Sequence, residues 1–300
     1  MKYARILLAV ASEIWAMQPE KLEAMIAFLA LQAEGAKFDA AEIEARISPQ
    51  MSSDVARREG AVAILPLRGV VANRMNMFSS ISGGTSNEAF GAAMREAVAD
   101  DRVNAIVLDV DSPGGTVQGT EELSSLIHSL RGQKPIVAQV NATAASAAYW
   151  IASAADEVVM TPTGWVGSIG AMTVHDDISA ALERAGVKRT VIKSAEGKNE
   201  APPHLPLSDE ARAQLEAQCA FFDKMFVDRV ASNRGVSTAV VRSDFGKGRM
   251  VIGADAVRAG MADRIATMDE TLARFGAGHA SPPPRAAAST PRRHRAIAAL

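Results

Sequence analysis

Ser146 stands inside a run of small residues, Asn141-Ala-Thr-Ala-Ala-Ser146-Ala-Ala-Tyr-Trp150, just after the apolar stretch Pro135-Ile-Val-Ala-Gln-Val140. The apolar stretch reads as a buried strand, and the small residues that follow suit a tight turn into a helix. A serine at that junction sits at a helix N-terminus, where free backbone N–H groups favour negative charge. Upstream, a second apolar run, Ala105-Ile-Val-Leu-Asp-Val110, leads into the glycine turn Asp111-Ser-Pro-Gly114-Gly115. Paired glycines let backbone N–H groups approach a ligand closely. Together these segments supply a nucleophile and an oxyanion hole that need a base. The expected chemistry is that of a serine hydrolase, with a peptidase foremost.

A serine hydroxyl is a weak nucleophile until a neighbouring group takes its proton. The chain has five histidines, His128, His175, His204, His279 and His294. His279 and His294 fall in or beside a polar tail, and His128 falls on the surface of an expected helix. His175, in Thr173-Val-His-Asp-Asp177 after an expected strand, is the histidine to consider. A lysine can serve instead if burial lowers its pKa, because desolvation disfavours the charged form. Lys198, in Ser194-Ala-Glu-Gly-Lys-Asn199, is such a residue, although lysines are overwhelmingly surface groups. The residues alone leave His175 and Lys198 both open.

The elements that must position these groups follow from periodicity. Strands are expected at 61–67, 105–110, 135–140, 157–160, 171–174 and 189–192. Helices are expected after Ser86, at about 118–130, from Ser146, at about 178–185, and from Ser208 to about Ser232, with a last one at 254–258. Strands alternating with helices imply an α/β domain with largely parallel pairing. Residues 1–55 read as a helical extension, with one helix from Pro19, a second near 40–46 and a polar linker at 48–54. Residues 56–275 form the main domain. The tail, 276–300, carries Ser281-Pro-Pro-Pro284 and Arg292-Arg-His-Arg295 and lacks a hydrophobic pattern.

Bulk properties exclude little beyond this. The chain has 300 residues, 48% hydrophobic and 22% charged, enough for a sizeable core. Thirty-two basic residues nearly balance 34 acidic ones, so charge points to neither nucleic acid nor a membrane surface. The lone Cys219 has no internal disulfide partner and is expected on the apolar face of a helix. The apolar start, Met1 to Val10, is too short for a secretory core, and no segment is long enough to span a bilayer. The expected location is cytoplasmic.

Several blocks together resemble the S49 peptidases, the signal peptide peptidase A or protease IV family. They are Asp111-Ser-Pro-Gly-Gly-Thr116, Ala145-Ser146-Ala147-Ala148-Tyr149, Thr163-Gly-Trp-Val-Gly-Ser-Ile-Gly170, the Ser194–Lys198 loop and Arg249 to Asp263. The resemblance covers roughly residues 61–266 and rests on the order and spacing of the set. It implies a Clp protease/crotonase-like fold of repeated strand-strand-helix units and a serine–lysine dyad. On this reading Ser146 is the nucleophile, Lys198 the general base and Ser168 the hydroxyl that orients the lysine. The N–H groups of Gly114 and Ala147 would form the oxyanion hole. No metal or organic cofactor is implied, and a homo-oligomer is.

Two departures from the family pattern stand beside this. Alanines 145 and 147 flank the serine where family members commonly carry a glycine, and Asn-Glu-Ala-Pro-Pro-His after Lys198 is atypical. The opening Ser12-Glu-Ile-Trp-Ala-Met-Gln-Pro-Glu-Lys-Leu22 resembles phage and prophage S49 proteases of the minor capsid protein C group. That branch implies capsid maturation, with scaffold or capsid-associated proteins as substrates. The rival readings are a signal-peptide-degrading S49 peptidase, a crotonase-like acyl-CoA enzyme, a non-catalytic virion protein, and a Clp-like triad using His175.

Overall fold

The computed structural model describes residues 13–33, 56–74, 84–195 and 197–276. Its strands are β1 (Trp15–Met17), β2 (Arg57–Glu59), β3 (Val62–Arg68), β4 (Val70–Ala72), β5 (Gly84–Ser86) and β6 (Ala105–Ser112). They continue with β7 (Gly114–Thr116), β8 (Ile136–Ala145), β9 (Glu157–Met160), β10 (Trp165–Gly167), β11 (Met250–Ile252) and β12 (Arg264–Ile265). The α-helices are α1 (Pro19–Ala33), α2 (Asn87–Ala99), α3 (Thr120–Leu130), α4 (Ala147–Ala152), α5 (Ser179–Arg184) and α6 (Asp209–Arg234), then α7 (Thr238–Asp244), α8 (Gly253–Arg258) and α9 (Met268–Ala273).

The chain forms a mixed α/β fold around a large sheet in the order β11-β10-β8-β6-β3-β2, with β9 paired to both β8 and β12. β3, β6, β8, β9 and β10 pair in parallel, as the alternation of strands and helices implies. Central strands of such a sheet are covered on both faces, so β6 and β8 read as continuous apolar runs rather than alternating ones. One face carries the main core, which includes Leu108, Val140, Trp150 and Phe226. The other carries a smaller cluster of Ile64, Val107, Val137 and Val159 with Leu272 of α9. A second, smaller sheet runs β1-β7-β4-β5.

Helix starts follow from local chemistry. The side chains of Ser86 and Ser208 accept the N–H groups of Ala89 and Ala211, capping α2 and α6 as their positions suggest. Thr267 and Glu270 form a reciprocal capping box on α9. Gly235, at φ 66°, ends α6 in the left-handed conformation that favours glycine.

Three expectations need correction. Residues 189–192 form no strand: they are exposed and unpaired, with Ile192 96% accessible. β-branched residues such as Thr190, Val191 and Ile192 form a strand only where an edge exists to receive them. Residues 171–174 contribute a single bridge, Met172 to Trp15, rather than a strand. His128 is half-buried beside Asn233 rather than free on a helix surface, and burial lowers its pKa. The expected helix near 40–46, the linker at 48–54 and the tail beyond 276 lie outside the described residues.

Buried charge ties the C-terminal elements to the sheet. Arg131 donates to the carbonyls of Ser153, Ala154, Ala155 and Asn233, closing the end of α4. Arg234 grips Asp263 at 2.7 and 2.9 Å, and Asp263 accepts the Val158 N–H at 2.7 Å. Burial would raise the Asp263 pKa, but the Arg234 and Val158 hydrogen bonds outweigh it and hold the carboxyl below its ordinary 3.8. A depressed carboxyl pKa contributes stability at higher pH and loses it as pH falls through the folded-state value. We expect wild-type stability to fall below about pH 4 more steeply than that of Asp263→Asn. Urea melts across that range check it, and equal slopes would remove the pair from the acid response.

Candidate active site

β8 ends at Ala145, and Ser146 turns the chain directly into α4. A register shift prepares the turn. Between the pairs Val110–Val140 and Ser112–Ala144, β8 carries two more residues than β6, so its end bulges next to the glycine turn. On the other side β10 aligns Gly167 with Ala145, and the Ser146 N–H donates to the Gly167 carbonyl at 2.7 Å. The Ser146 carbonyl in turn accepts the Trp150 N–H at 2.9 Å.

These bonds hold Ser146 at φ 53°, ψ −118°. A side chain rarely adopts that region, and a strained residue of this kind costs about 1–3 kcal/mol. Ser146 is 1% exposed, and its buried Oγ has no hydrogen-bond partner among the described residues. An orphaned buried hydroxyl on a strained backbone is unfavourable twice over. Stability alone gives no reason to keep a serine there.

α4 is anchored from behind. Trp150 stacks on Phe226 of α6 with ring centroids 4.3 Å apart. Its Nε1 donates to Glu121 of α3 at 3.1 Å, and Arg229 of α6 donates to the same carboxylate at 2.8 Å through Nε. Sequence reasoning missed this trio, because Glu121 and Arg229 look like ordinary charges on helix surfaces. Ala147, the first residue of α4, is fully buried, and helix geometry leaves its N–H without an intrahelical acceptor.

The two glycine turns flank the serine. Gly114, at φ 98°, lies so close that an added Cβ would sit 2.9 Å from the Ala145 carbonyl oxygen. Its N–H donates to Ser112 Oγ at 3.1 Å, and Ser112 in turn donates to the Gly69 carbonyl at 2.6 Å. Ser168 follows Gly167 on the other side, at φ 54° and 8% exposed, with its N–H on the Arg249 carbonyl at 3.0 Å. The structure thus brings Ser146, Ala147, Gly114 and Ser168 to one end of the sheet.

Neither candidate base joins them here. Lys198 lies in an exposed turn, its N–H on the Ala195 carbonyl at 3.2 Å, and no bond from it reaches Ser146 Oγ. His175 Nε2 is 3.3 Å from the Pro202 carbonyl and does not reach Ser146 either. Behind the site, on the other face of β6, Asp109 is held by Arg68 and Asn141. Burial pushes the neighbouring Asp111 carboxyl up, against the pull of Arg68.

The strain at Ser146 has a measurable consequence. Glycine adopts this backbone freely and removes the orphaned hydroxyl, so we expect Ser146→Gly to stabilise the fold by about 1 kcal/mol. Ser146→Ala, which keeps the Cβ, should gain less. Urea denaturation of the two variants decides it, and a Ser146→Gly protein less stable than Ser146→Ala would remove backbone strain as a cost.

Comparison with known proteins fits this geometry. Residues 128–280 match Peptidase family S49. The chain is 33% identical over 211 residues to the capsid assembly protease C of Escherichia phage lambda, covering 70% of this chain and 48% of that protein. It is 31% identical over 251 residues to the head-tail preconnector protein GP5 of Enterobacteria phage P21, covering 82% and 50%. It is 27% identical over 216 residues to protease 4 of Salmonella typhi, covering 72% and 34%. The chain therefore spans about half the length of the two phage relatives. The matched span takes in Ser146, α4, the Gly167–Gly170 turn and Lys198, and by this match the chain belongs to peptidase family S49.

Proposed function

We propose that this chain is a serine endopeptidase working through a Ser146–Lys198 dyad, with a role in phage capsid maturation. The observation that carries the reading is Ser146 itself: a strained, buried, unpartnered hydroxyl at the start of α4, beside a glycine turn. The fold is read as Clp protease/crotonase-like, built of strand-strand-helix units over residues 56–275. Residues 1–55 are an N-terminal extension and 276–300 a tail.

In the proposed reaction Ser146 Oγ attacks the peptide carbonyl carbon while its proton passes to the neutral Lys198 amine. The oxyanion that forms takes hydrogen bonds from the N–H groups of Gly114 and Ala147, the former released from Ser112. Such a donor is worth about 3–4 kcal/mol in the transition state. Collapse breaks the C–N bond, the leaving amine takes the proton from Lys198, and an acyl-enzyme remains. Water then attacks the ester, giving its proton to Lys198, and Ser146 regains one as the acid product leaves. Ser168 orients the lysine amine. For this the exposed segment bearing Lys198 has to pack against the site.

The names of the two phage relatives support capsid or scaffold proteins as substrates and a procapsid as the place of action. Among the described residues no helix is long and apolar enough to cross a membrane. Exposed Val187, Val191, Ile192, Leu205 and Phe221 support self-association into a homo-oligomer.

A fluorophosphonate probe is expected to label Ser146. Lys198→Ala should lower peptide turnover by roughly 10²–10⁴-fold, the usual worth of a proton acceptor, and His175→Ala should keep most of it. If His175→Ala were the inactive variant and Lys198→Ala the active one, a triad would replace the dyad.

A further inference from the structure

β1 comes from the N-terminal extension, yet it lies between the two glycine turns that flank Ser146. On one side Trp15, Ala16 and Met17 pair antiparallel with Thr116, Gly115 and Gly114. Gln18 N–H donates to the Pro113 carbonyl at 2.9 Å, and Val117 N–H donates to the Ile14 carbonyl at 3.2 Å. Bonded and unbonded pairs alternate along an antiparallel ladder, so Ala16–Gly115, midway between these, is a bonded pair. On the other side Trp15 exchanges both main-chain bonds with Met172, at 2.8 and 2.9 Å, just beyond Gly170. Residues 14–18 are therefore bonded along one edge as a ladder to β7 and on the other through the single Trp15–Met172 bridge.

This strand crosses the catalytic end of the sheet. A Cβ added to Gly114 would lie 2.3 Å from the Ala16 carbonyl oxygen and 3.0 Å from Met17 Cα. The same Cβ would lie 2.9 Å from the carbonyl of Ala145, the residue before the nucleophile. Ser146, the next residue, is 1% exposed. A polypeptide offering a carbonyl to Ser146 must run extended past the glycine turn, and a strand edge binds an extended chain through main-chain bonds. That edge is already taken.

We infer that residues 13–18 occupy the strand position of a polypeptide substrate, and that β1 with α1 is an intramolecular plug that must leave before Ser146 turns over. The inference rests on the reading of Ser146 as nucleophile. Trp15 and Met17 pack with Leu22, Met25, Leu29 and Val70 in a cluster separate from the main core, so the plug carries much of its own apolar contact with it. Ile14 and Ala16 face the main core instead. A displacing substrate would present an apolar and a small side chain at those two places. Twenty-two residues, 34–55, separate α1 from residue 56 in the sequence, and a fully extended chain of that length spans roughly 70 Å.

The test reads access to position 146 without requiring catalysis. In a Cys219→Ala background, Ser146→Cys is labelled with iodoacetamide, with and without Ala16→Pro. Proline removes the N–H of the bonded Ala16–Gly115 pair, and so one bond of the β1–β7 ladder. The labelling rate should rise about tenfold or more as the opened state gains population. A synthetic peptide of residues 12–18 should slow it again. As a second route that leaves the folded protein unmutated at β1, a specific protease site within residues 34–55 is cut after folding. The diluted, nicked protein should then also label faster. Unchanged labelling in the nicked protein overturns the plug, whatever Ala16→Pro does to folding. Faster labelling, with no peptidase activity from Ser146-bearing Ala16→Pro, keeps the plug and instead overturns the nucleophile.

Discussion

The turn at Ser146 is the constraint around which the rest of this molecule is arranged. A side chain at φ 53°, ψ −118° does not persist unless neighbouring structure over-determines it. Here the Gly167 carbonyl holds the serine N–H, and the first turn of α4 holds its carbonyl. β6 and β10 fix β8 on both sides up to Ala144 and Ala145. α4 is only six residues long and would not stand alone. Burial of all six residues, the Trp150–Phe226 stack and the Glu121 and Arg131 hydrogen bonds keep it in place. Packing of a large apolar core thus offsets both the backbone strain at Ser146 and the burial of its hydroxyl.

Glycines make the surroundings of that turn possible. An added Cβ on Gly115 would sit 1.7 Å from the Val71 carbonyl oxygen, and one on Gly167 would sit 2.6 Å from that of Arg249. Backbones from β4, β7, β10 and the segment before β11 therefore meet at distances no side chain allows. Close approach puts polar main-chain groups, rather than charged side chains, around Ser146. Such groups are fixed dipoles and need no reorganisation as charge develops. The same closeness leaves β7 an edge that any extended segment can complete, and β1 completes it.

On the proposed reading, a buried Ser146 with the Lys198 turn still exposed is the resting state of the peptidase. Main-chain bonding of β1 is independent of side-chain identity, whereas Trp15 and Met17 add apolar contact that belongs to α1. The extension and the site are therefore coupled through a ladder only a few residues long. Short ladders exchange partners readily, because each bond lost to one strand is regained with another.

Much of this was legible in the residues. Apolar runs of strand length alternating with capped helices specified a parallel α/β sheet, because burial on both faces demands such runs. Ser86, Ser208 and Gly235 marked helix ends through local chemistry that needs no tertiary contact. Small residues around Ser146 and glycines at 114 and 115 signalled a close backbone approach, and the structure brings them together. What the residues left undetermined was anything that depends on a partner distant in sequence. The β-branched run at 189–192 found no edge to join, while the three residues of β1 found the β7 edge and a bridge to Met172. Glu121, Arg131 and Arg229 took their roles from elements that only folding brings near. Local sequence sets what a segment can form; which edges and carbonyls lie beside it is decided by packing of the whole chain.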